Sequence, residues 1–140
     1  MVRGYGAIMS VNGSPQRLAD TLPRYHFAYL ITVGDDGRAH LVAVHPSLVN
    51  GTLLIGNPGH KTSANLAAHP LVTVVCPPTD PSDYSLIVDG VGSVRDGKLA
   101  ITPTRAVLHR PAPPHATTTA GGCQSDCIEL PLAAEATSSG

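Results

Sequence analysis

Phe27-Ala-Tyr-Leu-Ile-Thr-Val-Gly-Asp-Asp-Gly-Arg-Ala-His-Leu-Val-Ala-Val-His45 is the stretch whose reading decides the fold. Phe27 to Val33 is rich in aromatic and β-branched residues, which fit the pleated surface of a strand. Gly34-Asp-Asp-Gly37 then supplies turn chemistry, and Arg38 to His45 returns as a second strand. Asn50-Gly51 is the next hairpin signal, because a type I′ turn needs positive φ at both central residues, and it leads into Thr52 to Ile55. Three sequential antiparallel strands are expected from these two turns.

Outward from this core the pattern continues. Leu71 to Cys76 reads as a buried strand, Pro77 to Asp83 as a loop, and Tyr84 to Val94 as a fifth strand in which Gly90 and Gly92 favour a bulge or a close approach. Asp96-Gly97 turns the chain into a sixth strand, Lys98 to Leu108, whose Pro103 fits only at an edge or an irregularity. Two short helices are expected. One carries Leu18, Ala19 and Leu22 after an N-cap at Ser14 and ends near Pro23; the other carries Ala64, Leu66, Ala67 and Ala68 and stops before Pro70. The fold class is therefore mainly β, a small six-stranded antiparallel barrel plugged by two helices, occupying residues 1–110. From Pro111 to Gly140 the Pro, Thr, Gly and Ser content leaves little to bury, and this part reads as a mobile extension pinned at Ile128 to Leu132.

Composition bounds the partners. The chain has 140 residues, enough for one modest core, and its 9 basic and 10 acidic residues give a net charge of −1 with no Lys/Arg cluster. Binding to nucleic acid is thereby disfavoured. No run of about 20 apolar residues exists to span a membrane, and Met1 to Ser10 lacks the pattern of a secretory signal, so a cytoplasmic protein is expected. Three cysteines, one in an apolar run and Cys123 and Cys127 in the tail, make no disulfide framework. His40 and His45 fall on opposite faces of one strand, and no His/Cys cluster has metal-ligand spacing. No Ser/His/Asp constellation can be assembled either.

The chemistry-bearing segment is Asn57-Pro-Gly-His-Lys-Thr-Ser-Ala-Asn65. A helix starting near Gly59 or His60 puts Lys61 in its first turn, where the positive end of the helix dipole disfavours a cation unless an anion is bound. Unpaired N–H groups at a helix start, a glycine and a lysine together suit a phosphate. Lys61 and Asn65, at i and i+4, share a helical face and so both suit a ligand groove. A solvated Lys61 and a surface Asn65 satisfy the same spacing.

The order of these features, Asn50-Gly51, then Lys61-x-x-x-Asn65-Leu66-x-x-x-Pro70-x-Val72, then Gly90-x-Gly92-Ser93-Val94, resembles the pyridoxamine 5′-phosphate oxidase-like split β-barrels over about Arg24 to Arg110. The resemblance implies a homodimer that binds FMN, or in some branches a deazaflavin coenzyme or haem, at the subunit interface. It implies that Lys61 contacts the cofactor phosphate with His60 beside it, that His40, Leu41 and Val42 of the second strand contribute, and that Ser85 reaches the ring edge; Asn57, Gly59 and Asn65, from the helix-start segment, are expected in the same cofactor site. His40 stands where some members have an arginine and Gly56 where many have a hydroxyl residue, two departures. The expected function is a flavin-dependent oxidoreductase passing hydride between FMN or a deazaflavin and a small molecule or nicotinamide; a flavin- or haem-binding barrel without turnover is the alternative. Only 14% of the residues are charged, against about 25% in an average domain. A barrel this apolar is expected to bury one face against a second copy, with the cofactor at its edge.

Overall fold

The computed structural model describes residues 17–111 and 125–132. The helix start expected at Ser14 lies outside them. A single turn, α1 (Leu18–Thr21), continues as a 3-10 turn over Leu22–Arg24 that takes Pro23 near its start, where the missing N–H costs nothing. The strands are β1 (Ala28–Val33), β2 (Ala39–Val44), β3 (Ser47–Val49), β4 (Thr52–Ile55), β5 (Leu71–Cys76), β6 (Ser85–Arg95), β7 (Lys98–Pro111) and β8 (Ser125–Leu130), and α2 (His60–Ala68) connects β4 to β5. All pairings are antiparallel, in the order β2-β1-β5-β6-β7-β4-β3, with β8 also on β7.

This is an eight-stranded sheet, where six strands of a split barrel were expected. Two differences account for the count. The expected second strand stops at Val44, and Asn50-Gly51 instead joins its own short pair, β3 and β4, at the opposite end of the sheet from β2. The strand is interrupted at His45-Pro46, because proline has no N–H for the ladder. The second difference is β8. Along one edge β7 pairs with β6 from Lys98 to His109; its other edge is shared, Leu99 to Ile101 taking β4 and Ala106 to Pro111 taking β8. The segment read as a pinned part of the extension thus completes the sheet.

Pro103 sits where that shared edge changes hands. It opposes Gly90 at a register shift, with Thr104 as the extra residue and its hydroxyl donating to the Asp89 carbonyl at 3.2 Å. A Cβ on Gly90 would stand 2.6 Å from both the Thr102 carbonyl oxygen and the Ile101 side chain, so the bulge and the close approach share one glycine.

Strand alternation gives the sheet two faces. On the inner face one row runs unbroken across six strands: Val42, Leu30, Val74, Val88, Ala106 and Leu130. All but Val42 are buried, and Leu53, Leu86, Leu99 and Ile101 fill the rest of the core. β8 is fastened on this side by Asp126, which accepts from the Tyr84 hydroxyl at 2.7 Å and from Arg110 Nε at 3.2 Å. The Arg110 guanidinium lies 4.4 Å from the centre of the Tyr84 ring, a cation–π contact. α2 packs over β1 and β6, and Gly92 makes room for it, since a Cβ there would meet Leu66 at 3.0 Å.

Candidate functional site

The start of α2 is built by Asn57-Pro-Gly. Asn57 Oδ1 accepts the Gly59 N–H at 2.9 Å, folding the chain back by a local side-chain turn. Gly59 is the N-cap, with φ 91° and ψ 164°, a conformation open essentially to glycine alone, and no side chain caps the helix. The first intrahelical bond joins Ser63 N–H to the Gly59 carbonyl at 3.1 Å. The N–H groups of His60, Lys61 and Thr62 therefore precede the ladder, as the first groups of any α-helix do, and point from its positive end. His60 and Lys61 are exposed there, and Lys61 makes no ion pair with a described residue.

Along α2, Lys61, Ala64, Asn65 and Ala68 form one stripe facing the β1–β2 turn, and with Asp35 and Asp36 they enclose a hollow of about 330 Å³. The two aspartates are the site residues that sequence reasoning missed, having been assigned to turn chemistry alone. They do serve the turn: Asp36 Oδ1 accepts the Arg38 N–H at 3.0 Å, and Asp35 lies 3.4 Å from His69 Nε2. Asn65 is not the surface residue its spacing allowed. It is buried and donates from Nδ2 to the Thr32 hydroxyl at 3.0 Å, tying α2 to β1. His40 pairs across the strands with Thr32, so Thr32, His40, Asn65 and Lys61 gather at one corner.

Leu41 and Ser85 lie elsewhere. Leu41 pairs with Ile31 on the outer face, away from His40 and Val42, and is 55% exposed. Ser85 begins β6 on that outer face, seven residues from Gly92, where α2 sits; at about 3.3 Å per residue this is about 23 Å along the strand. One chain thus brings together Asn57, Gly59, His60, Lys61, Asn65 and His40, with Val42 next along the inner face, while Leu41 and Ser85 face the other way.

A second hollow, of about 340 Å³, opens beside α1 and is lined by Tyr25, His26, Phe27, His45, Leu48 and Cys76 among others. Burial pushes the Cys76 thiol up to about 12. Burial, and then the neighbouring Cys76, push the Tyr25 phenol up to about 12, and this hydroxyl donates to the Tyr84 carbonyl at 2.9 Å. Both groups stay neutral at physiological pH. Among the described residues no group of three or more His, Cys, Asp or Glu is placed to hold a metal ion, and no helix is long and apolar enough to cross a membrane.

No protein-family model matches the chain. It is 43% identical over 129 residues to Uncharacterized protein Mb0449c of Mycobacterium bovis and equally to Uncharacterized protein MT0457 of Mycobacterium tuberculosis, covering 81% of this chain and 91% of each relative. Among solved structures it is similar to an F420 reductase at TM-score 0.53 and 17% identity, over 66% of this chain and 97% of that one. A Clostridium acetobutylicum protein of the pyridoxinephosphate oxidase family superposes at TM-score 0.52 and 12% identity, over 74% and 85%. A heme binding protein from Mycobacterium smegmatis superposes at TM-score 0.53 and 13% identity, over 76% and 54%. These neighbours share the fold whose order of turns, glycines and helix the sequence displays. The chain belongs to one family with Mb0449c and MT0457, and its fold is the pyridoxamine 5′-phosphate oxidase-like split barrel.

Proposed function

We propose that this protein is a homodimeric oxidoreductase that holds a flavin-type cofactor, FMN or a deazaflavin, by its phosphate at the start of α2. The observation that carries this reading is the uncapped first turn behind Gly59, with Lys61 exposed beside it. Those N–H groups and an ammonium form a donor set suited to a phosphate dianion. The hollow's two carboxylates oppose an anion less than buried free ones would, because Asp36 accepts from a backbone N–H and Asp35 is exposed to water, which screens its charge. Asn65 and Thr32 hold α2 against β1 and so fix the direction in which the first turn points. Since Ser85 and Leu41 face away from Lys61, a site using all of them requires a second copy. When bound, the flavin ring supplies the hydride chemistry, and the protein binds, orients and shields it. Its substrate is a small molecule or a nicotinamide. Exposed Cys127 and buried Cys76, both free thiols, suit the reducing cytosol.

A haem-binding barrel without turnover is the second reading. It is favoured by the apolar hollow with His26 and His45 on its wall and by the fold of the mycobacterial heme binding protein. An absorption spectrum of the protein purified from its own host separates the two readings. For the first, FMN and a deazaflavin coenzyme are titrated against wild type and Lys61→Ala. Loss of one charged hydrogen bond, about 1.5–3 kcal/mol, weakens binding by about tenfold or more. Unchanged affinity in the variant removes the phosphate site at α2.

A further inference from the structure

The β7–β8 ladder places a second chemical group on the outer face. Ser85, His109 and Cys127 oppose one another on β6, β7 and β8, forming a polar row at the end of the sheet. Directly opposed side chains in an antiparallel pair start about 5 Å apart at Cβ. His109 and Cys127 use that nearness: Nδ1 lies 3.1 Å from Sγ. The thiol is exposed and free, and the imidazole is half-buried. With its own proton on Nε2, the His109 ring presents Nδ1 as an acceptor for the thiol proton.

We infer that Cys127 is a thiol-modification site, with His109 as its base, that takes low-molecular-weight disulfides. The step is an exchange. The Cys127 thiol gives its proton to His109 Nδ1 as the sulfur attacks one sulfur of the disulfide RSSR. A bond forms between Cys127 Sγ and that sulfur, the original S–S bond breaks, and the departing RS⁻ takes the proton from the imidazolium to leave as RSH. One protein thiol is oxidised to a mixed disulfide and one RS group is reduced, so atoms and electrons balance. Among the described residues no third His, Cys, Asp or Glu joins this pair as a metal-binding group, and the arrangement is that of a nucleophile and a base. Cys76 offers an internal contrast: it is 1% exposed, and its burial keeps it protonated.

The test uses the full chain carrying Cys123→Ser, so that two of the three cysteines remain. It is incubated with oxidised glutathione at pH 7 and followed by intact mass and peptide mapping. One adduct is expected, on Cys127. An unassisted thiol is only a few per cent ionised at pH 7, so help from a base is worth about tenfold in rate, and His109→Asn, which cannot take the proton, loses that factor. A second measurement does not depend on the variant's folding: in the parent chain Cys127 reacts faster when folded than in urea, by about the same factor. An adduct on Cys76, no adduct, or equal rates in folded and unfolded chains would overturn the proposal.

Discussion

Thr62 sits in the first turn of α2 beside Lys61, fully buried, and among the described residues its hydroxyl is the buried side-chain polar atom left without a hydrogen-bond partner. A buried hydroxyl without a partner costs about 1–3 kcal/mol in desolvation, whereas an apolar group of the same shape escapes that cost. Thr62→Val is therefore expected to stabilise the protein by about 1 kcal/mol, seen as a higher midpoint in urea unfolding at unchanged slope. A lower midpoint would show that the hydroxyl is satisfied. The neighbouring Asn65 is the opposite case: its amide is equally buried, but Thr32 accepts from it. Sequence spacing put Lys61 and Asn65 on one face and went no further. Whether a residue on that face is wet or buried depends on where β1 lies, 33 positions earlier in the chain, and i, i+4 spacing contains nothing about that.

At the scale of elements, the β6–β7 pair is organised by Gly90. A methyl group there meets the Thr102 backbone carbonyl, which cannot rotate out of the way, as a flexible side chain would. Gly90→Ala is expected to cost about 1–3 kcal/mol, the range for overpacking, and to lower the melting temperature in thermal denaturation. An unchanged melting temperature would mean that the bulge relaxes freely. This glycine was legible in the sequence, as were Pro103 at an irregularity and the Asn50-Gly51 and Asp96-Gly97 turns, where Asn50 and Asp96 have φ of 51° and 53°. Such features depend on the residue's own backbone preferences, which is why they could be read. The partner of each strand could not: the turn at Asn50-Gly51 is local, but the placement of β3–β4 beside β7, across the sheet from β2, depends on pairings such as Leu53 with Ile101 between residues far apart in the chain. The strand β8 was read only as a pinned segment because it lies beyond a Pro- and Thr-rich stretch, and its pairing with β7 rests on Tyr84, Arg110 and Asp126, which no local pattern connects.

For the whole molecule, the scarcity of charge has a definite place. The outer face is divided: toward β7 and β8 it carries Thr73, Asp89, Arg105 and Glu129, linked by a 2.7 Å hydrogen bond and by ion pairs at 3.9 and 3.8 Å. Toward β2, β1 and β5 it carries Leu41, Tyr29, Val33 and Leu71, with Val91 beside them on β6, all exposed; Leu71 is the most open of these at 70%. A contiguous apolar patch of this kind on a chain with 14% charged residues calls for a covering surface. The reading of a second copy in that role is tested by Leu71→Glu. Leu71 lies outside the core, so the folded chain tolerates the change, while a carboxylate inside an apolar interface must be desolvated without a partner. Wild type is expected to have twice the 14.4 kDa mass of one chain in light scattering, and Leu71→Glu to shift toward a single chain with an unchanged circular dichroism spectrum. If the proposed site takes Ser85 and Leu41 from a second copy, the variant also loses FMN affinity while Lys61 is intact. A monomeric wild type, or a variant that stays dimeric, would place the partner surface elsewhere and leave the α2 site to be completed by one chain alone.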